Sequence, residues 1–184
     1  MGGLGELSFG RPDDRNFTFA SADRRDVVLW TRGVMAAMKL YVTVGLPRSG
    51  KSTWARECGH PVVCPDEIRY ALHGSAFYGP LEPLVWVIAK TMVVSLFRSG
   101  HNEVILDATS NTRKRRDEWK NIRPWNDDRT VQTTFVVFSA SSEVCMKRAE
   151  NDGVLKELKP VIARMFSAHE ALGEDEDHFF PEEG

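Results

Sequence analysis

Lys39-Leu40-Tyr41-Val42-Thr43-Val44-Gly45-Leu46-Pro47-Arg48-Ser49-Gly50-Lys51-Ser52-Thr53 runs from a β-rich segment through a glycine loop into a helical segment. Its second half, Gly45 to Ser52, matches G-x-x-x-x-G-K-[ST], and it sits where that motif's mechanism requires, after a strand and before a helix. Glycine lets successive backbone N–H groups turn inward around phosphate oxygens. The helix that begins near Lys51 aims the positive end of its dipole at the same anion. In this reading Gly45, Pro47, Arg48, Ser49, Gly50, Lys51, Ser52 and Thr53 form the nucleotide-binding loop. Lys51 reaches the β- and γ-phosphates, and the Ser52 hydroxyl ligates Mg²⁺. The pattern specifies a nucleoside triphosphate and leaves the reaction open.

Downstream of this loop, strand and helix alternate. Pro61 to Cys64 reads as a short strand, Asp66 to Leu72 as a helix capped by its own Asp, and His73 to Leu81 as a loop. Pro83 to Arg98 opens with proline at a helix start and is apolar nearly all round, so a buried helix is expected. Glu103 to Asp107 is a buried strand, Thr112 to Trp119 a charged helix and Val131 to Phe138 another strand. Ser141 or Ser142 caps a helix to about Glu150, and Pro160 to Ala171 is the last helix, with Gly173 suited to its end. Such alternation implies an α/β fold, a three-layer P-loop NTPase sandwich whose parallel sheet has about four to five strands with helices on both faces.

The chain has 184 residues, 42% hydrophobic and 27% charged, enough for one sizeable core. A formal net charge of −2 gives no global nucleic-acid signal, which weighs against a DNA-coating protein more than against an enzyme with a local phosphate cleft. Three cysteines without a C-x-x-C pair argue against a disulfide framework or zinc site and make a reducing, cytoplasmic setting the default. The longest apolar stretch, Leu84 to Phe97, is interrupted by Lys90, Thr91 and Ser95, whereas a membrane span needs about 20 apolar residues. Residues 1–37 mix clustered glycines with charges and read as a flexible extension. The working domain is expected over residues 38–172, beginning near Met38, and residues 173–184 as a loose acidic tail.

Two carboxylates stand at strand ends. Asp107 closes the apolar run Val104-Ile105-Leu106, the position that places a carboxylate beside the Mg²⁺; the alternative is a helix cap. Asp66 follows the second strand, where a phosphotransferase needs a base near the acceptor hydroxyl; an N-cap is again the alternative. Arg69, three residues on, shares its helical face and either binds an acceptor phosphate or pairs with Glu67 or Asp66. Thr109, Asn111 and Arg113 follow Asp107 at the substrate edge of the sheet, while most of Arg113 to Arg116 is expected to be a solvated face. Lys147-Arg148 precedes Asn151-Asp152-Gly153. An arginine there either neutralises charge over the γ-phosphate from a hinged lid or is an exposed helix charge.

Taken together these residues resemble the bacteriophage-type polynucleotide 5′-hydroxyl kinases, a branch of the P-loop kinases, over about residues 39–170. Gly50-Lys51-Ser52-Thr53-Trp54-Ala55-Arg56 extends the loop in that family's manner. Its Asp-x-x-Arg pair matches Asp66 and Arg69, its post-strand pattern matches Asp107-Ala108-Thr109 with Asn111, its Arg-Arg-x-x-Trp ending is similar to Arg115 to Trp119, and its lid Lys-Arg matches Lys147-Arg148. The resemblance implies ATP and Mg²⁺ as cofactors, Lys51, Asp66 and Arg148 as catalytic residues, Ser52 and Asp107 as metal ligands, and Arg69, Thr109, Asn111 and Arg113 at the acceptor. That acceptor is a free hydroxyl, best matched by the 5′ end of a polynucleotide, with no membrane partner. The family's second lid arginine falls near Asp152 here, and Lys156, the nearest substitute, lacks the fork of arginine. Small-molecule kinases of the zeta-toxin or chloramphenicol phosphotransferase type, and a non-kinase ATP switch, are the competing readings. A GTPase is disfavoured because no Asn-Lys-x-Asp motif occurs.

Overall fold

A computed structural model describes residues 37–75, 77–124 and 130–181. The chain divides into two units, Met1–Met35 and Ala36–Gly184, and all described residues belong to the second. The extension expected over residues 1–37 lies outside the described residues, apart from Ala37.

Five strands form one parallel sheet: β1 (Met38–Val44), β2 (Val62–Val63), β3 (Glu103–Leu106), β4 (Val131–Val137) and β5 (His178–Phe179), in the order β2-β3-β1-β4-β5. β1 is central. It pairs Val42 with Leu106 of β3 on one side and Val44 with Val137 of β4 on the other. The helices are α1 (Lys51–Glu57), α2 (Pro65–His73), α3 (Glu82–Arg98), α4 (Arg113–Lys120), α5 (Ser142–Asn151) and α6 (Leu155–Ser167), with a 3₁₀ turn at Gly79–Leu81.

Alternation along β1 splits its side chains between two layers. Met38, Leu40, Val42 and Val44 are all buried in a core shared with Val85, Ala89, Val93 and Phe97 of α3 and Trp119 of α4. On the other face Tyr41 meets Trp54 of α1 edge-on, at a ring separation of 6.4 Å. A smaller cluster of Leu46, Cys145, Ala149 and Ile162 joins α5 and α6 to the phosphate loop. The expected three-layer α/β sandwich is therefore the observed fold.

Several local expectations change. α2 is capped by Cys64 rather than by Asp66, which sits in its first turn behind Pro65. α3 is not buried all round: Val85, Ala89, Val93, Val94 and Phe97 are buried, while Leu84, Val87 and Met92 are exposed. Apolar composition marked the helix but could not say which side the sheet covers. The last helix starts at Leu155, contains Pro160 and ends at Ser167, so Gly173 does not terminate it. A Cβ at Gly173 would lie 2.6 Å from Arg113 Nη1, so only glycine lets the chain pass that guanidinium without a shift. The acidic segment expected to be loose instead supplies β5 and the buried Glu176. The mistaken expectation came from treating charge as solvation, when opposite charges 60 residues earlier are there to meet it.

Candidate active site

β1 delivers the chain to Gly45 at the C-terminal edge of the sheet, the edge where open parallel sheets bind ligands. Gly45 has φ 150°, and a Cβ there would stand 2.9 Å from both the Phe138 carbonyl oxygen and Ser49 Oγ. The loop then turns through Arg48 at φ 66° and Gly50 at φ 107°, and Ser49 N–H donates to the Leu46 carbonyl at 3.2 Å. Its arginine is the one non-glycine of the loop held in the left-handed region.

Lys51 is 7% exposed and folds back into the loop, donating from Nζ to the Leu46 carbonyl at 2.5 Å and to Ser49 Oγ at 3.4 Å. Burial lowers its pKa to about 8, against the opposing pull of Asp107. It is a desolvated cation lodged among the loop's own acceptors, poised for stronger anionic ones. Ser52 is half-buried and Thr53 exposed at the start of α1, while Pro47 is half-buried in the loop.

Asp107 follows β3 directly and is 8% exposed. It is not a helix cap, because Thr112 Oγ1 caps α4 by accepting from Arg115 N–H. Asp107 and the Ser52 hydroxyl offer a carboxylate and a neutral oxygen, and no cluster of three His, Cys, Asp or Glu side chains suits a metal among the described residues. That donor set fits a Mg²⁺ ion, which keeps waters and phosphate oxygens in its shell rather than demanding an all-protein cage. Sequence reasoning missed Thr43. Its Oγ1 donates to the Ala108 carbonyl at 2.7 Å and accepts from Ala108 N–H at 2.9 Å, tying the end of β1 to the turn after Asp107.

Asp66 and Arg69 are brought together on α2, with Arg69 Nη1 donating to Asp66 Oδ1 at 2.5 Å. The Asp66 side chain remains 75% exposed while Arg69 is only 10% exposed. The larger partner of Arg69 is one the sequence did not reveal: Nε and Nη2 hold both oxygens of Glu82, at 2.6 and 2.7 Å. Those hydrogen bonds keep the Glu82 carboxyl below its usual range. Arg69 also lies over the Trp86 ring, which Arg115 covers at 3.9 Å.

On the opposite flank α5 reaches the phosphate loop. Arg148 Nη1 donates to the Arg48 carbonyl at 3.1 Å, and Arg48 Nη1 pairs with Asp152 at 2.7 Å. The place of the family's second lid arginine thus holds a carboxylate that binds the loop's own arginine, while Lys147 and Lys156 are exposed.

In the turn after Asp107, the Thr109 carbonyl accepts from Gly45 N–H at 3.2 Å, and Asn111 Nδ2 donates to the Met165 carbonyl at 3.4 Å. Arg113, expected at the acceptor, is instead engaged by Asp117, Asp175 and Glu176, so its charge is already matched by three carboxylates. Arg116, expected on a solvated face, is fully buried. A separate hollow lined by Lys39, His60, His101 and Glu103 lies at the N-terminal ends of the strands, away from this edge.

The sequence profile of the AAA domain family matches residues 40–151, more than half of the chain. The chain belongs to that AAA domain family. No curated protein matches this AAA domain. Among solved structures, a chain of the Pnkp1/Rnl/Hen1 RNA repair complex superposes with a TM-score of 0.54 at 20% identity, over 79% of this AAA domain chain and 52% of that one. A second structure of a Pnkp1/Rnl/Hen1 complex gives 0.53 at 27% identity, over 64% and 41%. A sugar kinase from a Janibacter species gives 0.52 at 18% identity, over 79% and 84%. The AAA domain chain therefore spans about half or less of the repair-complex chains it matches. Its fold is that of the P-loop kinases, with neighbours that include both repair-complex and small-molecule enzymes.

Proposed function

We propose that this protein is an ATP-dependent phosphotransferase that moves the γ-phosphate to an acceptor hydroxyl, and that the acceptor is the 5′-hydroxyl of a polynucleotide. The observation that carries the reading is the Asp66–Arg69–Glu82 group. An exposed carboxylate, the chemistry of a general base, is held by a buried arginine that is itself fixed from behind, on the helix that follows the first crossover from the phosphate loop. A nucleotide switch has no need of such an arrangement. The likeness at 27% identity to a chain of a Pnkp1/Rnl/Hen1 complex supports the nucleic-acid acceptor.

In this reading the loop and Lys51 hold the β- and γ-phosphates. Ser52 and Asp107 hold Mg²⁺, which offsets phosphate charge when bound. Asp66 Oδ takes the proton of the acceptor hydroxyl as its oxygen attacks phosphorus and ADP leaves. Arg148, already over the Arg48 carbonyl, turns toward the transferring phosphoryl group. Thr109 and Asn111 line the acceptor side.

The test is transfer of labelled γ-phosphate from ATP to a 5′-hydroxyl oligonucleotide with Mg²⁺, beside Lys51→Ala and Asp66→Asn. Transfer lost in both variants supports the reading. ATP binding without transfer to the oligonucleotide removes the polynucleotide acceptor and leaves a small-molecule hydroxyl. The locked Arg69 gives that second reading a specific footing, because a guanidinium held by two carboxylates has little charge to offer an acceptor phosphate.

A further inference from the structure

Beyond α6 the chain turns back along the start of α4 before pairing with β4 as β5, and Arg116 lies at the centre of that return. Its guanidinium is fully buried. On one side Nε donates to Glu176 Oε1 at 2.8 Å and Nη2 to Glu176 Oε2 at 3.1 Å. Nη2 also donates to the Ala171 carbonyl, and Nη1 to the Glu170 carbonyl, each at 3.0 Å. On the other side Nη1 faces the carbonyls of Asn111 at 3.3 Å and Ser110 at 3.4 Å. Glu176, 2% exposed, is completed by the Gly173 N–H at 2.8 Å. Burial alone would raise its pKa, but Arg116 and that amide hold it below the usual carboxylate range.

The backbone that Arg116 touches needs outside support. Ser110 adopts φ 33°, a conformation disfavoured for a residue with a side chain. The same turn reaches the phosphate loop, since Gly45 N–H donates to the Thr109 carbonyl.

We propose that Arg116 and Glu176 are positioning residues: the C-terminal strap, acting through this buried pair, fixes the turn Ala108–Asn111 that follows Asp107, and through Thr109 the start of the phosphate loop at Gly45. Neither side chain touches the phosphate site; Arg116 acts through the backbone carbonyls it donates to, and Glu176 acts by holding Arg116. The inference stands whichever acceptor the protein uses.

The test is backbone amide hydrogen exchange on the full-length chain. Glu176→Gln keeps the shape and removes the charge. Asp175→Asn weakens the surface pairs to Arg113 and Lys120 and serves as the control. In Glu176→Gln, the amides of Gly45, Ala108 and Glu170, the last of which donates to the Asn111 carbonyl at 2.9 Å, exchange about ten- to a hundredfold faster, the loss expected for a hydrogen bond to a charged group. In Asp175→Asn, Gly45 and Ala108 are unchanged. Acceleration confined to residues 170–181 in Glu176→Gln would overturn the proposal by showing that the turn holds its shape without the strap. If Glu176→Gln does not fold, the unaltered protein decides. The proposal requires Glu170, Gly173 and Ala108 to open together with one protection factor, and strap amides exchanging orders of magnitude faster than Ala108 would refute it.

Discussion

Lys51 carries its own reporter. Its pKa falls from an ordinary 10.5 to about 8 because burial disfavours the charged form. Between those values the unfolded chain binds more protons at this site than the folded one, so its contribution to stability improves as pH rises through that window. Urea unfolding should therefore show a rise between pH 8 and 10.5 that Lys51→Met flattens. Phosphates restore the charge, so at about pH 9 ATP binding takes up a proton; calorimetry in buffers of different ionisation enthalpy reads it, and equal apparent heats would contradict it. Asp66→Asn should spare ATP affinity and cut transfer by about 10²–10⁴-fold, read in single-turnover assays. Gly45→Ala should weaken nucleotide binding at least tenfold or so, because its Cβ meets the Phe138 carbonyl oxygen and a backbone atom cannot step aside; unaltered affinity by titration would show that the loop tolerates the shift. Residues of this kind were legible because the motif is contiguous. Thr43 was not, since its partners Leu106 and Ala108 lie more than sixty positions away.

At the scale of elements, legibility followed the hydropathy signal and stopped where that signal lost direction. β1, β3 and β4 were readable as β-rich runs, and the α/β alternation follows from them. α3 was readable as a helix but not as a one-sided one, since Leu84, Val87 and Met92 look as apolar as the residues that face the sheet. The two faces should answer differently to truncation. Phe97→Ala, at a fully buried position, should cost about 3–5 kcal/mol in urea denaturation, and Val87→Ala no more than about 0.5 kcal/mol. Similar costs at both positions would mean that Val87 is covered in solution. In α4, read as the charged helix it is, one residue departs from expectation for the converse reason. Four consecutive basic residues suggest solvent, yet Arg116 is the one turned inward, and its partner arrives only with the last strand.

For the whole molecule, the net charge of −2 does not argue against the proposed polynucleotide acceptor, because gripping one strand end would need only a few local cations. Oligonucleotide binding should then depend weakly on salt, with a slope of log affinity against log salt of about −1 to −2, as for one to three phosphate contacts on a single strand. A flat dependence in filter binding or anisotropy would favour an uncharged small acceptor. The same sheet also sets a timetable. Among the described strands the first made is the central one, and β1, complete at Val44, lacks its β4 partner until Val131 and the residues after it emerge. At roughly 5–20 residues per second a ribosome leaves Met38–Val44 without that partner for about 5–20 s, unpaired until β3 is made and half-paired afterwards, an apolar ribbon with an open edge. Nascent chains stalled before β4 should therefore be held by chaperones, and those stalled after β5 released.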